Sequence, residues 1–278
     1  MLESLFILLG FNFATPQLPP LDILEVYSQP QLISFSEPIV KAKSAIVIDL
    51  ASGKILFEKN IHARLPIASL TKLMSAVIGR ENYSLEDLVV VSKNASKQPP
   101  AKIWLGKGEK LLVKDLLKAL LIESANDVAV ALAEKMGEEE FVKKMNQKAK
   151  SLGLKNSHFA NPVGYDDEEN FSTTFDLAIL ANYVLRDEVL REIVGTPKTI
   201  IFSKTGKAHE LYSTNNLFGS YLDIHGLKTG LTEEAGECLA AVAKMKNGRK
   251  ILTIVLNSSG RFQEAKALIT WAEKSHRW

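Results

Sequence analysis

Hydrophobic residues follow two different periods along the chain. Short apolar runs lie near both ends, at Ser44–Asp49 and Lys54–Glu58 and again at Cys238–Met245 and Arg249–Asn257. Each run is typical of a β-strand. Asn247-Gly248 separates the last two runs, and this dipeptide is the strongest short signal for a hairpin. Both ends of the chain are therefore predicted to contribute strands.

The middle of the chain has apolar residues at helical spacing. The predicted helices are Leu70–Arg80, Val113–Ile122, Asp127–Met136, Glu139–Leu152, Thr174–Val194 and, near the C-terminus, Arg261–Trp278. Strands at both ends then bracket a helical middle. The economical arrangement is an α+β fold, in which one antiparallel sheet is built from both chain ends and a helical subdomain is inserted.

The first forty residues differ in character from the rest. The apolar stretch 5–14 is shorter than the roughly 20 residues that cross a bilayer. It is similar to the core of an export signal but lacks a positively charged start, so a weak signal and a plain N-terminal extension both stay open. Repeated prolines favour an extended connector over residues 15–40. We predict that residues 1–40 are a leader or connector and that residues 41–278 form one folded domain.

Composition excludes several classes of protein. The chain has 278 residues, 46% of them hydrophobic, and a net charge of +2, which are ordinary globular values. A near-neutral balance argues against nucleic acid as the main partner. The one cysteine, Cys238, rules out an internal disulfide framework, and the five histidines have no metal-ligand spacing. No metal or other cofactor is expected.

One S-x-x-K motif is present, at Ser69-Leu70-Thr71-Lys72. Residues three apart share one face of a helix, so the Lys72 amine can lie beside the Ser69 hydroxyl. A serine becomes a useful nucleophile when a neighbouring base takes its proton. Taken alone, the motif is more often an ordinary surface lysine on a helix.

Two further motifs occur more than once. S-x-N triplets begin at Ser92, Ser124 and Ser213, and of these only Ser124-Ala125-Asn126 lies at a junction between two predicted helices. K-T-G triplets begin at Lys204 and Lys228. A Lys and a Thr on an edge strand can hold a carboxylate, while the glycine leaves room for a substrate backbone. Each triplet by itself is more typical of a helix cap or a turn.

The three motifs taken together are a more specific signal than any one of them alone. The order S-x-x-K, S-x-N, K-T-G is joined by the strings Ala-Ser-Leu-Thr-Lys-Leu-Met at 68–74, Asn-Pro-Val-Gly at 161–164 and Gly-Leu-Lys-Thr-Gly at 226–230. With these, the sequence resembles the serine-type D-alanyl-D-alanine carboxypeptidases, the low-molecular-mass penicillin-binding proteins. The resemblance covers roughly residues 40–275. It implies a β-lactamase/transpeptidase-like fold in which 41–278 is the catalytic domain.

The resemblance also implies an activity and a set of partners. The expected enzyme is a hydrolase that removes the terminal D-Ala from peptidoglycan stem peptides through an acyl-enzyme. β-Lactam antibiotics are the expected inhibitors. Such an enzyme acts in cell wall biogenesis, in the periplasm or at the outer face of the cytoplasmic membrane. Many relatives carry a C-terminal β-rich domain and a terminal anchor, whereas this sequence stops after a helix, so no C-terminal membrane anchor is expected.

Each motif residue takes a role by this resemblance. Lys228 is preferred to Lys204 because Thr-Glu-Glu-Ala-Gly follows it, as in the family. The role of Arg261 stays open between substrate binding and a surface charge. The implied catalytic residues are Ser69 as nucleophile, Lys72 as general base and Ser124 as proton relay; the implied substrate-binding residues are Asn126, Lys228, Thr229 and Gly230, with the N–H groups of Ser69 and Leu231 as the oxyanion hole.

Other activities of the same fold stay open. A D,D-endopeptidase would cut cross-links with the same residues. A β-lactamase needs a carboxylate for fast deacylation, but the middle S-x-N residue is Ala125, and the acidic stretch 166–169 is predicted to be a solvated loop. A non-catalytic peptidoglycan-binding module is disfavoured because the S-x-x-K, S-x-N and K-T-G motifs all keep the residues that the chemistry requires.

Overall fold

The protein is described by a computed structural model that covers residues 28–33 and 36–278. The apolar stretch 5–14 and most of the predicted connector lie outside the described residues. The boundary between residues 40 and 41 stays a prediction. Among the described residues, no helix combines the length and the apolar character needed to cross a membrane.

Eight α-helices occur in the part of the chain that the structure describes, and a short 3₁₀ helix at Ala68–Leu70 precedes the first. They are α1 (Thr71–Asn82), α2 (Lys93–Ser96), α3 (Val113–Ile122), α4 (Asn126–Glu134), α5 (Glu138–Ser151), α6 (Thr174–Arg186), α7 (Glu188–Val194) and α8 (Arg261–Ser275).

Thirteen strands occur in the same described ranges. They are β1 (Gln31–Leu32), β2 (Ser44–Asp49), β3 (Ile55–Lys59), β4 (Leu65–Pro66), β5 (Leu88–Val90), β6 (Lys110–Leu112), β7 (Phe171–Ser172), β8 (Lys198–Phe202), β9 (Ala208–Tyr212), β10 (Asp223–Thr232), β11 (Gly236–Lys244), β12 (Lys250–Ser258) and β13 (His276–Arg277).

The main sheet has five antiparallel strands in the order β10-β11-β12-β2-β3. The pairing of β12 with β2 joins the two chain ends, as predicted. Alternate residues of a strand point to opposite faces. Ile46 and Ile48 of β2 accordingly pack on the helical side, while Ala45 and Val47 pack in the cluster that includes α8. The predicted α+β fold, with a sheet from both chain ends and helices inserted between them, is confirmed.

Two predicted helices differ from the observed ones. The predicted helix Thr174–Val194 is broken because Asp187 leaves the helical conformation and its carboxylate accepts a hydrogen bond from Leu190 N at 2.9 Å, which caps α7. The predicted C-terminal helix ends at Ser275, and β13 pairs with β1 instead. β1 and β13 lie far apart in the sequence, so the local spacing of apolar residues cannot predict that they pair.

The loop before β7 packs directly on the first turn of the S-x-x-K segment. Gly164 has φ +90, and a Cβ there would lie 2.0 Å from the carbonyl oxygen of Ala68. Only glycine fits this approach without moving one of the two backbones.

We expect Gly164→Ala to lower the free energy of unfolding by about 3 kcal/mol, because a positive φ and a backbone clash act together. Urea denaturation measures this loss. Gly108→Ala is the matched control, since Gly108 has φ +81 but nothing within 4 Å of its Cβ position. The control carries the φ penalty alone, about 1 kcal/mol. Equal losses in the two variants would show that the contact with Ala68 is unimportant.

Candidate active site

Ser69 and Lys72 meet at the start of α1. Ser69 lies in the 3₁₀ turn that precedes α1, and Lys72 lies in the first turn of that helix. The Lys72 Nζ is 2.9 Å from Ser69 Oγ. The spacing of three residues therefore brings amine and hydroxyl into hydrogen-bond contact, as the sequence predicted.

Two other acceptors surround the lysine amine. Lys72 Nζ donates to Asn126 Oδ1 at 2.8 Å and to the carbonyl oxygen of Val163 at 2.7 Å. A neutral amine has two N–H groups and one lone pair. Because these two oxygens accept both N–H groups, the lone pair is left facing the hydroxyl of Ser69.

The surroundings favour the neutral amine. Lys72 is fully buried, and burial lowers its pKa well below the ordinary value because a charge is poorly solvated there. The nearby ammonium of Lys228 lowers the pKa of Lys72 further, and the carboxylate of Asp127 opposes both effects. Desolvation is the largest cause, so the environment favours the neutral amine, which is the form that can accept a proton.

The turn that carries the carbonyl of Val163 is stabilised by the side chain of Asn161. Asn161 Oδ1 accepts hydrogen bonds from the backbone N–H groups of Val163, Gly164 and Tyr165 at 3.1, 2.7 and 3.1 Å. Ser75 Oγ donates to the carbonyl of Pro162 at 2.6 Å. The string at 161–164 supported the family resemblance, but its contact with Lys72 was not predicted, because a backbone carbonyl has no signature in a sequence.

Asn126 is the first residue of α4. Its Nδ2 donates to the carbonyl of Pro99 at 3.1 Å, and its backbone N–H donates to the carbonyl of Ala101 at 2.7 Å. Asp127 accepts from the N–H groups of Leu105 and Ile103 at 3.0 and 3.3 Å. The start of α4 thus anchors the loop that follows α2 and orients the oxygen of Asn126 toward Lys72.

Ser124 lies two residues earlier, at the junction of α3 and α4. It is buried and has a left-handed backbone with φ 64. This is the helix junction that the sequence predicted for the S-x-N triplet. The structure therefore places Ser124 at the same helix start as Asn126.

Lys228, Thr229 and Gly230 lie on β10, at the edge of the main sheet. Lys228 Nζ donates to the carbonyl of Thr229 at 3.0 Å. Burial and, second, the charge of Arg261 lower the pKa of Lys228 to about 7. Arg261 Nη1 donates to the carbonyl of Gly230 at 2.6 Å, so Arg261 contacts the K-T-G strand itself rather than standing apart as a surface charge.

Gly230 lets β10 approach the nucleophile. A Cβ at Gly230 would lie 3.0 Å from Ala68 Cβ and 3.1 Å from the backbone nitrogen of Ser69. Leu231 follows directly, with its side chain 61% exposed. The backbones of Ser69 and Leu231 are therefore neighbours, and the three motifs converge on one region.

Thr214 also contacts this region, and sequence reasoning missed it. Its Oγ1 lies 2.6 Å from Thr229 Oγ1. Thr214 is the middle residue of the S-x-N triplet at Ser213, which the helix-junction criterion set aside. Nothing in its local sequence predicts the contact, because β10 and the segment before it are brought together only by the fold.

The remaining motif copies lie elsewhere. Ser92 caps α2 by accepting from Ala95 N at 2.9 Å, and Lys204-Thr205-Gly206 forms the exposed turn between β8 and β9. The acidic side chains at 166–169 are exposed, as the sequence predicted for a solvated loop. Within residues 28–33 and 36–278, no group of three or more His, Cys, Asp or Glu side chains could hold a metal ion.

Comparisons with known proteins agree on one family. Residues 31–260 match the D-alanyl-D-alanine carboxypeptidase family. The chain is 40% identical over 238 residues to D-alanyl-D-alanine carboxypeptidase DacF of Bacillus subtilis (strain 168), covering 83% of this chain and 61% of that protein. It is 34% identical over 250 residues to D-alanyl-D-alanine carboxypeptidase DacC of Escherichia coli (strain K12), covering 84% and 62%. The chain thus spans less than two thirds of these curated relatives.

Solved structures share the fold. The Streptomyces K15 DD-transpeptidase superposes with a TM-score of 0.81 at 29% identity, over 86% of this chain and 99% of that one. A D-alanyl-D-alanine carboxypeptidase from Mycobacterium tuberculosis H37Rv superposes with a TM-score of 0.80 at 26% identity, over 88% and 95%. The sequence match, the fold and the convergence of the three motifs lead to the same assignment. The chain belongs to the D-alanyl-D-alanine carboxypeptidase family.

Proposed function

We propose that this protein is a serine D,D-peptidase that removes the terminal D-Ala from peptidoglycan stem peptides. The observation that carries the proposal is the buried Lys72 amine, 2.9 Å from Ser69 Oγ, with both N–H groups taken by fixed oxygens. A buried amine with a free lone pair is a general base, and a hydroxyl beside it becomes a nucleophile.

In this proposal Ser69 Oγ attacks the carbonyl carbon of the penultimate D-Ala while Lys72 takes its proton. The N–H groups of Ser69 and Leu231 stabilise the oxyanion, and each such donor contributes about 3 kcal/mol in comparable enzymes. Ser124 passes a proton to the leaving amine of D-Ala, and water then hydrolyses the ester on Ser69. Asn126 orients Lys72 and also faces the substrate amide.

The terminal carboxylate of the substrate binds at the K-T-G strand. Lys228 supplies positive charge, and Thr229 supplies a hydroxyl. The contact between Thr214 and Thr229 supports this role, because a Thr229 hydroxyl that accepts a hydrogen bond from Thr214 keeps its own O–H available to donate to the carboxylate. Arg261 acts through Gly230, whose carbonyl it holds.

β-Lactams are proposed as inhibitors, since opening of their ring by Ser69 would leave an adduct of the same kind as the acyl-enzyme. Peptidoglycan lies outside the cytoplasmic membrane, so we also propose that the protein acts at the outer face of that membrane or in the periplasm.

A second candidate activity is transfer of the acyl group to an amine. It is favoured by the similarity to the K15 enzyme, which is named a DD-transpeptidase. The two activities share the acyl-enzyme and differ in whether water or an amine reaches its carbonyl.

Labelled penicillin tests the nucleophile. We expect a covalent adduct with the unchanged protein and none with Ser69→Ala, because the attacking oxygen is gone. Lys72→Ala should slow labelling by about 10²–10⁴-fold through loss of the base. Ser92→Ala is the control, since Ser92 caps α2 and should leave labelling unchanged. Adduct formation in Ser69→Ala at the normal rate would remove Ser69 from this role.

Mass spectrometry distinguishes the possible activities. After incubation with a soluble pentapeptide ending in D-Ala-D-Ala, we expect loss of one alanine. Added glycine tests the second candidate, which predicts a product with glycine in place of that alanine. Scission of a cross-linked dimer without alanine loss would indicate an endopeptidase, and rapid repeated turnover of penicillin would indicate a β-lactamase.

The pH dependence of kcat/KM tests the two lysines, since it reports groups of the free enzyme. Activity should rise with pH as Lys72 loses its proton, below the ordinary lysine range. It should fall again as pH rises through about 7, where Lys228 loses the charge that binds the carboxylate. A peptide with a terminal carboxamide should lack this falling limb.

Arg261→Gln should move the falling limb to higher pH, because the charge of Arg261 lowers the pKa of Lys228. Arg277→Gln, which changes an exposed arginine near the C-terminus, is the control and should leave the limb in place. A limb at the same pH in both variants would contradict the assignment to Lys228.

A further inference from the structure

The hairpin of β8 and β9 exposes apolar side chains on one face. Register places Lys198, Ile200 and Phe202 opposite Tyr212, Glu210 and Ala208. Ile200, Phe202 and Tyr212 are 51%, 57% and 56% exposed, whereas the intervening Ile201 and Leu211 are buried against the helical core. Each strand therefore has one face in the protein core and one face that nothing in the described residues covers.

Trp104 lies beside the turn that joins the two strands. It is 69% exposed, and its carbonyl accepts a hydrogen bond from Lys207 Nζ at 3.1 Å, across to the hairpin turn. Lys102 Nζ lies 4.4 Å from the centre of the Trp104 ring. We use "hairpin face" for the outward surface formed by Ile200, Phe202 and Tyr212; the exposed Trp104 lies next to its turn end.

The loop that carries Trp104 is firmly attached to the hairpin. The carboxylate of Glu109 lies 2.6 Å from His209 Nε2 and 3.2 Å from Lys207 Nζ, and it also accepts from Gly106 N at 2.7 Å. Glu109 and His209 are almost completely buried. The exposed tryptophan is thus presented by a fixed scaffold.

Lysines surround the hairpin face. Lys198 lies on the outward side of β8, Lys204 and Lys207 lie in the turn, and the N–H of Lys204 donates to the carbonyl of Lys110 at 2.9 Å. Two carboxylates contact the outward-facing Tyr212: Glu210 accepts from its OH, and Glu123 accepts from its backbone N–H at 2.7 Å. Glu109 pairs with Lys207, whereas Lys102, Lys198 and Lys204 add further positive charge. The rim therefore carries positive charge in excess.

From this juxtaposition we propose that the hairpin face docks on an anionic phospholipid bilayer. Exposed aromatic rings suit the headgroup boundary, hydrocarbon side chains suit the acyl region, and lysines pair with anionic headgroups. A hydrated wall polymer fits less well, because Ile200 and Phe202 offer it no polar atom and would gain little by leaving water for it.

Docking would bring the candidate active site close to the bilayer. β9 leads into the segment of Thr214, which contacts Thr229. Five residues of strand span about 17 Å. The carboxylate end of the cleft would then lie one short strand away from the lipid surface.

Vesicle co-sedimentation of the full chain tests the proposal. We expect binding to vesicles of mixed phosphatidylglycerol and phosphatidylcholine and weaker binding to phosphatidylcholine alone. Phe202→Ser should lower the partition coefficient about tenfold. Tyr221→Ser is the matched control, because Tyr221 is another exposed aromatic residue, on the segment before β10, and its loss should change nothing.

The charges are tested in the same way. Replacing Lys198 and Lys204 by glutamine should lower binding to anionic vesicles by more than tenfold, at about fivefold per lysine. Replacing the exposed Lys244 and Lys246 should have little effect. The apolar stretch 5–14 is present in every variant, so only differences between matched pairs count. Unchanged penicillin labelling shows that each variant is folded.

Fluorescence gives a direct reading of depth. Lipids brominated near the headgroup should quench part of the tryptophan emission, and this part should vanish in Trp104→Phe. Equal partitioning of the hairpin and control variants, or quenching that survives Trp104→Phe, would overturn the proposal. Hairpin-dependent binding to isolated peptidoglycan but not to vesicles would overturn it in favour of a wall polymer.

Discussion

Removal of one lysine amine from water is the constraint on which the candidate site depends. The charged form of Lys72 is disfavoured in this position, because water is excluded and none of the three oxygens that contact the amine carries a negative charge. The same exclusion that lowers its pKa turns the amine into a base. The protonation state of this amine and the packing of the helical core are therefore linked at one atom.

Three parts of the chain must be close together to keep that amine dry. Gly164 lets the loop with the Val163 carbonyl pack on Ala68, and Gly230 lets β10 pack on Ser69. The start of α4 supplies the oxygen of Asn126. Each approach is between backbones, so a side chain at either glycine would push apart the elements that surround Ser69 and Lys72.

Lys72 and Lys228 are both buried, but different groups surround their amines. Lys72 is buried among polar acceptors, and desolvation lowers its pKa well below the ordinary value, while burial and the charge of Arg261 lower the pKa of Lys228 to about 7. In the proposed mechanism the two lysines have two tasks, proton transfer for Lys72 and anion binding for Lys228. The hairpin of β8 and β9 stands beside this site with a different surface chemistry, apolar and rimmed by lysines.

The local sequence predicted most of the main sheet and the three motifs, but it did not predict one helix cap or two contacts of the candidate site. The strands β2, β3, β11 and β12 followed from apolar runs and one Asn-Gly turn, and the order of the three motifs indicated that they would lie close together, whereas the role of each motif residue stays a prediction. The cap at Asp187 was overlooked because the apolar period continues through it. Thr214 and the Val163 carbonyl escaped because contacts between distant segments, and backbone atoms, leave no pattern along the chain.

The most direct measurement is an NMR titration of the protein with isotope-labelled lysine side chains, in which Lys72 is identified by the signal missing from Lys72→Met. A neutral, buried amine predicts a Lys72 resonance that titrates well below the ordinary lysine pKa of about 10.4. A resonance that stays that of an ammonium group up to the pH at which the exposed lysines titrate would contradict it.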